Sequence, residues 1–319
     1  MKEKRISIPG YLQEYGSLVA LLLLVIVIGI ISPDFRTLNN FLSLLRQSSV
    51  NGFIAFGMTM VILTGGIDLS VGSVLAVCAA FGAGMITLMG IPVPVAMVLT
   101  LLLGLVLGAV SGLLITVGRL QPFIATLVTM TVYRGATLIY TGGKPISNVT
   151  GQQYAMSGVL DFFGRGSLGK IPFPVLLFIL MFGVYYVLLN KTTMGRKIYA
   201  VGSNEKCSKL AGINSNKVKF LIYSASGLMA SISALVLLSR LGSAQPTLGQ
   251  GFEMDAIAAV ALGGTSMSGG RGKITGTLIG ILIIAVLDNG LNILGVSSYW
   301  QDVVKGLVIL VAVLSDKNR

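Results

Sequence analysis

Ten apolar segments, separated by short polar or glycine-rich stretches, fill most of the chain. Several approach or exceed the roughly 20 apolar residues that a helix needs to cross a bilayer. Because unpaired backbone groups cannot face lipid, these segments are predicted to be helices. The pattern predicts an all-α, polytopic membrane protein with about ten transmembrane helices, or eight or nine if the short eighth and tenth segments do not cross. The segments lie near residues 15–31, 49–64, 72–89, 93–117, 122–141, 172–189, 218–238, 253–264, 274–294 and 299–314.

Composition and the placement of basic residues support the membrane assignment. The 319 residues are 54% hydrophobic and only 11% charged, whereas soluble domains carry about 25% charged residues. With the N-terminus inside, fifteen of the 23 Lys and Arg residues fall in predicted cytoplasmic segments and six in external segments. Basic loops stay in the cytoplasm, so both termini are predicted to be cytoplasmic. The net charge of +12 then follows from orientation and requires no nucleic-acid partner.

The sequence contains no constellation for catalysis or metal binding. The stretch SGGRGKITG at 268–276 comes nearest to a phosphate-binding loop, which requires GxxxxGK followed by Ser or Thr. Ile274 stands where the Ser or Thr is needed, and Met267 stands where the first glycine is needed. Histidine is absent, and Cys78 and Cys207 are isolated. The chain is therefore predicted to have no catalytic residue, metal site or cofactor of its own.

The longest polar stretch on the predicted cytoplasmic side runs from residue 191 to residue 217. Within it, SNEKCSKLAGI is typical of a short helix, because Ser203 or Asn204 can cap its N-terminus. Glu205 suits the positive end of the helix dipole, and Gly212 can end the helix. A charged helix between two spans favours the docking of a soluble partner. A solvated basic loop that merely satisfies the orientation rule would explain the same residues.

The stretch TGGIDLSVGS at 64–73 interrupts the apolar sequence between the second and third spans. Gly65 and Gly66 permit a turn, and Asp68 or Ser70 can cap the third helix. In a second interpretation, the broken segment lines or gates a transport path. Irregular backbone at membrane depth belongs beside a water-filled cavity, which is the reason for that interpretation.

Two charged residues fall inside predicted spans. Asp288 and Lys305 would each cost about 2.5–3.5 kcal/mol at the centre of a membrane helix. They are therefore expected to pair with each other, or Lys305 with Asp302 one helical turn earlier. Either pairing would be structural.

Three motifs together resemble those of the membrane subunit of sugar-class bacterial ABC importers. They are GGIDLSVGS at 65–73, SAQPTLGQGFEMDAIAAVALGGTSMSGGRGKITGTLIG at 243–280 and NGLNILGVSSYWQDVVKGLVILVAVL at 289–314. The resemblance implies a single transmembrane permease domain over residues 1–319, with an ABC importer permease fold of the vitamin-B12-permease-like type. It also implies that residues 142–171 form an external loop.

The same resemblance implies the partners of the chain. Two copies of such a permease form the translocation path in the bacterial cytoplasmic membrane. ATP-binding subunits dock on the cytoplasmic face, and a soluble extracytoplasmic binding protein delivers the sugar. ATP and Mg would be used by the separate ATPase, which explains the missing phosphate-binding loop. The short polar helix within 191–217 would be the coupling helix, with the residues Asn204, Glu205, Lys209, Leu210, Ala211, Gly212 and Ile213.

A neutral sugar needs hydrogen bonds and apolar faces, and a permease should hold it weakly so that it can leave. The candidates for the path are polar or aromatic residues within otherwise apolar spans, each of which could instead bond a neighbouring helix: Asn51, Asp68, Ser70, Phe123, Thr126, Tyr133, Asn289 and Asn292. A permease for another small sugar of the same family would fit these residues equally well. The competing class is a secondary transporter, in which Asp68, Asp255 or Asp288 would couple to protons or sodium.

Overall fold

Helices form nearly all of the regular structure, which confirms the all-α prediction. A computed structural model describes residues 10–150, 154 and 156–316. Every predicted span coincides with a helix, although α2 begins eleven residues early because the Thr37 hydroxyl oxygen accepts the Asn40 N–H and caps it. The helices are α1 (Gly10–Ile31), α2 (Leu38–Leu63), α3 (Val71–Thr87), α4 (Val93–Thr116), α5 (Pro122–Thr141), α6 (Ser157–Arg165), α7 (Phe173–Lys191), α8 (Thr193–Ser203), α9 (Glu205–Leu210), α10 (Ser215–Leu241), α11 (Phe252–Leu262), α12 (Ile274–Ile293) and α13 (Ser298–Asp316).

Five of these helices, α4, α5, α7, α10 and α12, are long and apolar enough to cross a membrane by themselves. Two shorter apolar stretches of helix are α3 and residues Gly16–Ile31 of α1. The eighth predicted span is α11, which has only 11 residues. At about 1.5 Å per residue it is about 16 Å long, roughly half the thickness of the hydrocarbon core. The eighth segment is therefore a half-length helix.

The predicted external loop at 142–171 has structure of its own. It contains α6, whose Leu160 is fully buried and whose Gly164 N–H donates to the Ser239 hydroxyl of α10 at 3.1 Å. Two small antiparallel ribbons accompany α6: β1 (Ile146–Ser147) pairs with β4 (Ser243–Ala244), and β2 (Ser167–Leu168) pairs with β3 (Ile171–Pro172). Residues 151–153 and 155 of this loop, and the chain ends 1–9 and 317–319, lie outside the described residues.

The centre of the fold is α10, a largely buried helix that packs against α2, α3 and α4. Its contact with α4 is close because glycines face each other. A side chain at Gly104 would overlap the Gly227 carbonyl region, and one at Gly108 would lie 3.0 Å from the Gly227 Cα. Small residues four apart let two backbones approach in this way within lipid. Gly280 of α12 packs against Ala259 of α11 in the same manner.

A belt of large aliphatic side chains covers the outside of the bundle. On α4 these include Val98 and Leu102, and on α7 they include Ile179 and Leu180, all more than half exposed. Such a surface would be unfavourable in water but is suited to lipid hydrocarbon. The fold is therefore that of a polytopic membrane protein.

Candidate functional site: the polar end of the bundle and its buried loop

Three segments meet at one end of the bundle, and we call them the polar end: residues 64–70, 193–213 and 263–273. The Gly270 N–H of the third segment donates to the carbonyl of Leu63, directly before the first segment, at 2.9 Å, and Gly269 packs against Gly65. The Tyr199 hydroxyl in the second segment donates to the Gly272 carbonyl of the third at 2.9 Å. The similar sequences GGIDLS and LGGTSMSGG thus lie side by side at one end, not at opposite ends as an inverted repeat would place them.

The predicted polar helix at this end is α9, and its start is defined by Asn204. The Asn204 side-chain oxygen accepts the backbone N–H of Cys207 at 3.0 Å, so Asn204 is the N-cap and Ser203 is not. The helix ends at Leu210. Gly212 follows with a φ of 80°, a left-handed conformation that glycine adopts without strain.

Glu205 ties α9 to the helix bundle. Its carboxylate pairs with Lys209 of α9 at 2.9 Å and with Lys219 of α10 at 2.6 Å. Partial burial favours the protonated acid, but the hydrogen bonds and the attraction of the two ammonium groups outweigh it. The net result is a Glu205 pKa below the ordinary value for glutamate.

The outer side of α9 faces away from the protein. Leu210 is 90% exposed, the highest value among the exposed large apolar side chains that the structure describes. Ala211 and Gly212 are also exposed, whereas Ile213 is half-buried. An isolated apolar side chain at the tip of a charged helix is suited to insertion into a pocket of a partner.

The structure adds α8, a helix that the sequence interpretation missed. The Thr192 side chain accepts the Gly195 N–H at 3.2 Å and caps it, and Ile198 and Val201 are buried three residues apart on its inner face. At its end, Gly202 lies so close to the Leu63 carbonyl that a side chain would overlap it. The spacing of Ile198 and Val201 after a threonine was the available signal for this helix.

Asp68 organises the loop at 64–70. The prediction that Asp68 or Ser70 caps α3 is wrong, because neither side chain accepts an N–H of that helix. Ser70 occupies the N-cap position without a side-chain cap bond. Its N–H and its hydroxyl both donate to Asp68 Oδ1, at 3.0 and 2.6 Å, and the Ser226 hydroxyl of α10 donates to Oδ2 at 2.9 Å. Asp68 therefore closes a local turn and holds the loop against α10. Its carboxylate bonds the two serines and not the N–H groups of α3.

Most of this loop is buried inside the bundle. The Ile67 carbonyl accepts the Thr126 hydroxyl at 3.2 Å and the Tyr223 hydroxyl at 3.4 Å. Tyr223 is the ninth residue of α10, about 12 Å from the start of that helix. Asp68 is 1% exposed, whereas Gly65 is exposed, so the Asp68 end of the loop is enclosed by protein, as irregular backbone inside a membrane protein requires.

Three of the other predicted path residues bond groups on neighbouring helices or turns. Asn289 and Asn40 exchange two side-chain hydrogen bonds of 2.9 Å. Asn292 accepts from Gln301 at 3.1 Å, and the Tyr133 hydroxyl donates to a carbonyl of α4 at 2.9 Å. Phe123 is about half exposed. These contacts match the alternative in which the residues bond neighbouring helices.

Three charged side chains within the spans form a cluster. Lys305 of α13 lies 3.2 Å from Asp288 of α12, which confirms the predicted pair, and 3.3 Å from Asp255 of α11. The Asn51 side chain of α2 donates to Asp255 at 3.3 Å. The cluster ties four helices together and pairs charges that would be costly in lipid, with one lysine between two carboxylates. Within the described part of the chain, no group of acidic, cysteine or histidine side chains could hold a metal ion.

Comparison with known proteins settles the family. Residues 40–313 match the family described as "Branched-chain amino acid transport system / permease component". The chain belongs to this permease family. It is 53% identical to the ribose import permease of Bacillus subtilis (strain 168) over 318 residues, which cover 100% of this chain and 97% of that protein. It is 48% identical to the ribose import permease of Escherichia coli (strain K12), over 99% of this chain and 97% of that protein.

More distant relatives carry other sugars in their names. The chain is 34% identical to the xylose transport system permease of Haemophilus influenzae, over 97% of each protein. No solved structure gives a significant match. The family and its relatives confirm the predicted membrane permease of a sugar-class ABC importer.

Proposed function

We propose that this chain is the transmembrane permease subunit of an ATP-driven ribose importer. The observation that carries the proposal is identity over the full chain: 53% and 48% to two ribose permeases, against 34% to a xylose permease and 37% to an allose permease. Two copies of the chain would form the path, as a single transmembrane domain each. A soluble extracytoplasmic binding protein would deliver the sugar.

The polar end supports coupling to a separate ATPase. In this proposal α9 enters the ATPase, with Leu210 as the apolar contact and Glu205 holding the helix on α10. Gly202 then transmits the displacement of α8 to Leu63, the last residue of α2, and so to the loop at 64–70. The ATPase would use ATP and Mg, and this chain would hold no cofactor, metal or nucleic acid.

The same proposal gives the orientation. The polar end faces the cytoplasm, where the ATPase is, and the loop at 142–171 is external. The alternation of the helices is consistent with this arrangement, because β1 and β4 pair the segments after α5 and α10, which are predicted to lie on the same side. Both termini are then cytoplasmic, in the cytoplasmic membrane of a bacterium.

The sugar is tested by reconstituting the chain with its ATPase and binding protein in proteoliposomes. We expect ATP-dependent uptake of labelled ribose, with unlabelled ribose competing well and unlabelled xylose or allose competing poorly. Because the binding protein also selects the sugar, the experiment is repeated with each sugar preloaded on its own binding protein. Preferred uptake of xylose or allose would assign the chain to another small sugar of the same family.

A further inference from the structure

An open groove of about 580 Å³ lies between α5 and the irregular segment that precedes α11. Polar side chains from both sides line it: Thr131 and Arg134 from α5, and Gln250 and Glu253 from the other side. Gly135 forms part of its wall, and no atom lies within 4 Å of the position that a side chain there would occupy. The volume is within the range of about 300–1,000 Å³ that is typical of small-molecule sites.

The groove lies at membrane depth. Arg134 is the thirteenth of the 20 residues of α5, well inside a helix that is long and apolar enough to span. On the opposite wall, Gly249 packs against Gly72 in the first turn of α3, directly after the buried loop at 64–70. The segment at 245–251 therefore enters the bundle from the end where β4 lies.

Arg134 holds this entering segment in place. Its Nη1 donates to the carbonyls of Pro246 and Leu248, at 2.8 and 2.9 Å. Charged side chains within membrane spans face the bundle interior or a water-filled cavity, and irregular backbone at this depth is tolerated only in the same places. The polar side of the groove is therefore suited to water, while Met130, Leu138 and Pro246 give it an apolar side.

The chemistry of the groove fits a neutral polyol. Two of the five guanidinium N–H groups of Arg134 are used by carbonyls, which leaves three donors. Gln250 and Thr131 are exposed. The Glu253 carboxylate accepts the backbone N–H of Gly251, at 3.3 Å, and that of Glu253 itself, and it keeps further acceptor sites. One positive and one negative group sum to zero charge, so the groove offers donors and acceptors without favouring an ion.

We propose that this groove is a sugar-contact site in the transport path, in which Thr131, Arg134, Gln250 and Glu253 bond the hydroxyl groups of the passing sugar. Gly135 provides the room for it. The proposal rests on the proposed function, because it assigns the groove to the path of that importer. The exposed sides of α4 and α7 are formed mainly by large apolar side chains, and an arginine within a span, Arg134, distinguishes the groove from them.

Water access is tested with Thr131→Cys and Gln250→Cys in a Cys207→Ser background, because Cys207 is an exposed thiol. Gly183→Cys is the control, since Gly183 lies on exposed α7 with open space around it. During ATP turnover, we expect a charged, membrane-impermeant thiol reagent to modify both groove variants and not the control. If neither groove variant is modified, the groove faces lipid or a protein contact and the proposal is wrong.

Sugar contact is tested with Gly135→Leu, which fills the groove, and with Gly183→Leu as its matched control. Co-purification of the ATPase verifies the assembly of each variant. We expect Gly135→Leu to lower ribose moved per ATP by about tenfold or more, the effect of a few methylene groups in a fitted site. Gln250→Leu should lower it by about threefold to tenfold, the worth of one hydrogen bond.

The outcomes separate the two proposals. If the unchanged protein takes up ribose with ATP and Gly135→Leu moves as many ribose molecules per ATP, the groove is not the contact site but the proposed function stands. If the unchanged protein takes up no ribose with ATP, the proposed function itself fails.

Discussion

The contact between α8 and the end of α2 is expected to carry the coupling signal, and Gly202→Ala is the sharpest perturbation of it. A methyl group at residue 202 would overlap the Leu63 carbonyl oxygen and lie 2.6 Å from the Gly270 nitrogen. Ordinary contacts begin near 3.4 Å, so α8 must move away by nearly 1 Å or more. Backbone atoms on both sides leave no flexible side chain to absorb the shift.

The magnitude follows from three contributions. Overpacking of this kind costs about 1–3 kcal/mol. The bond from Gly270 to Leu63, 2.9 Å long, contributes about 0.5–1.5 kcal/mol and would be strained. Alanine recovers about 1 kcal/mol at most through its better helix propensity. The packed arrangement of the polar end is therefore weakened by about 0.5–3.5 kcal/mol, which shifts its equilibrium by about twofold or more.

The assay is ribose uptake and ATP hydrolysis in the same proteoliposomes. We expect Gly202→Ala to co-purify with the ATPase, because α9 is unchanged, but to move fewer ribose molecules per ATP. Gly183→Ala is the control, since its helix position is open and its coupling should equal that of the unchanged protein. An unchanged ratio of ribose to ATP in Gly202→Ala would refute the idea that this contact transmits the signal.

Three further predictions use other parts of the polar end and the loops. Asp68→Asn should keep most uptake, because an amide can accept from one serine and donate to the other, whereas Asp68→Leu leaves a buried N–H unpaired at about 1–3 kcal/mol and should lose uptake. Abolished uptake with normal assembly in Asp68→Asn would show that the charge itself is required. Because the Glu205 pKa is lowered, its ion pairs are complete at neutral pH and are lost only as the pH falls through that lowered value. The ratio of ribose to ATP should therefore be constant from mildly acidic to mildly basic pH. A decline within that window would contradict the role of Glu205 in holding α9 on α10. Single cysteines at Lys144 should react with an impermeant thiol reagent from outside and those at Lys197 should not, in a Cys207→Ser background; equal labelling would overturn the orientation.

The helices could be predicted from the sequence because hydropathy determines them locally. Segments such as 93–117 and 122–141 need no tertiary information, and the observed α4 and α5 match them closely. The cap at Asn204 and the pair of Asp288 with Lys305 were also predictable. The first depends on the preference for Asn at the N-cap of a helix, and the second on the cost of an unpaired charge in lipid.

Two kinds of feature could not be predicted from the sequence. One is the choice of hydrogen-bond partner for a buried polar side chain, and the other is the path of a segment that enters the bundle. Asp68 was a plausible cap, but its carboxylate accepts hydrogen bonds from Ser70, two residues away, and from Ser226, 158 residues away. Polar residues such as Asn289 looked suited to a path until the structure showed a partner on another helix. The groove at Arg134 was missed because no local pattern shows that the segment at 245–251 enters the bundle.

The measurement that tests the central claim most directly is ribose uptake driven by ATP alone. The chain, its ATPase and its binding protein are reconstituted together, and proton and sodium gradients are collapsed with ionophores. We expect uptake with ATP, and none with a non-hydrolysable analogue. Uptake that persists without ATP and follows an imposed ion gradient would contradict the account, because the chain would then be an ion-coupled transporter whose buried carboxylates serve that coupling.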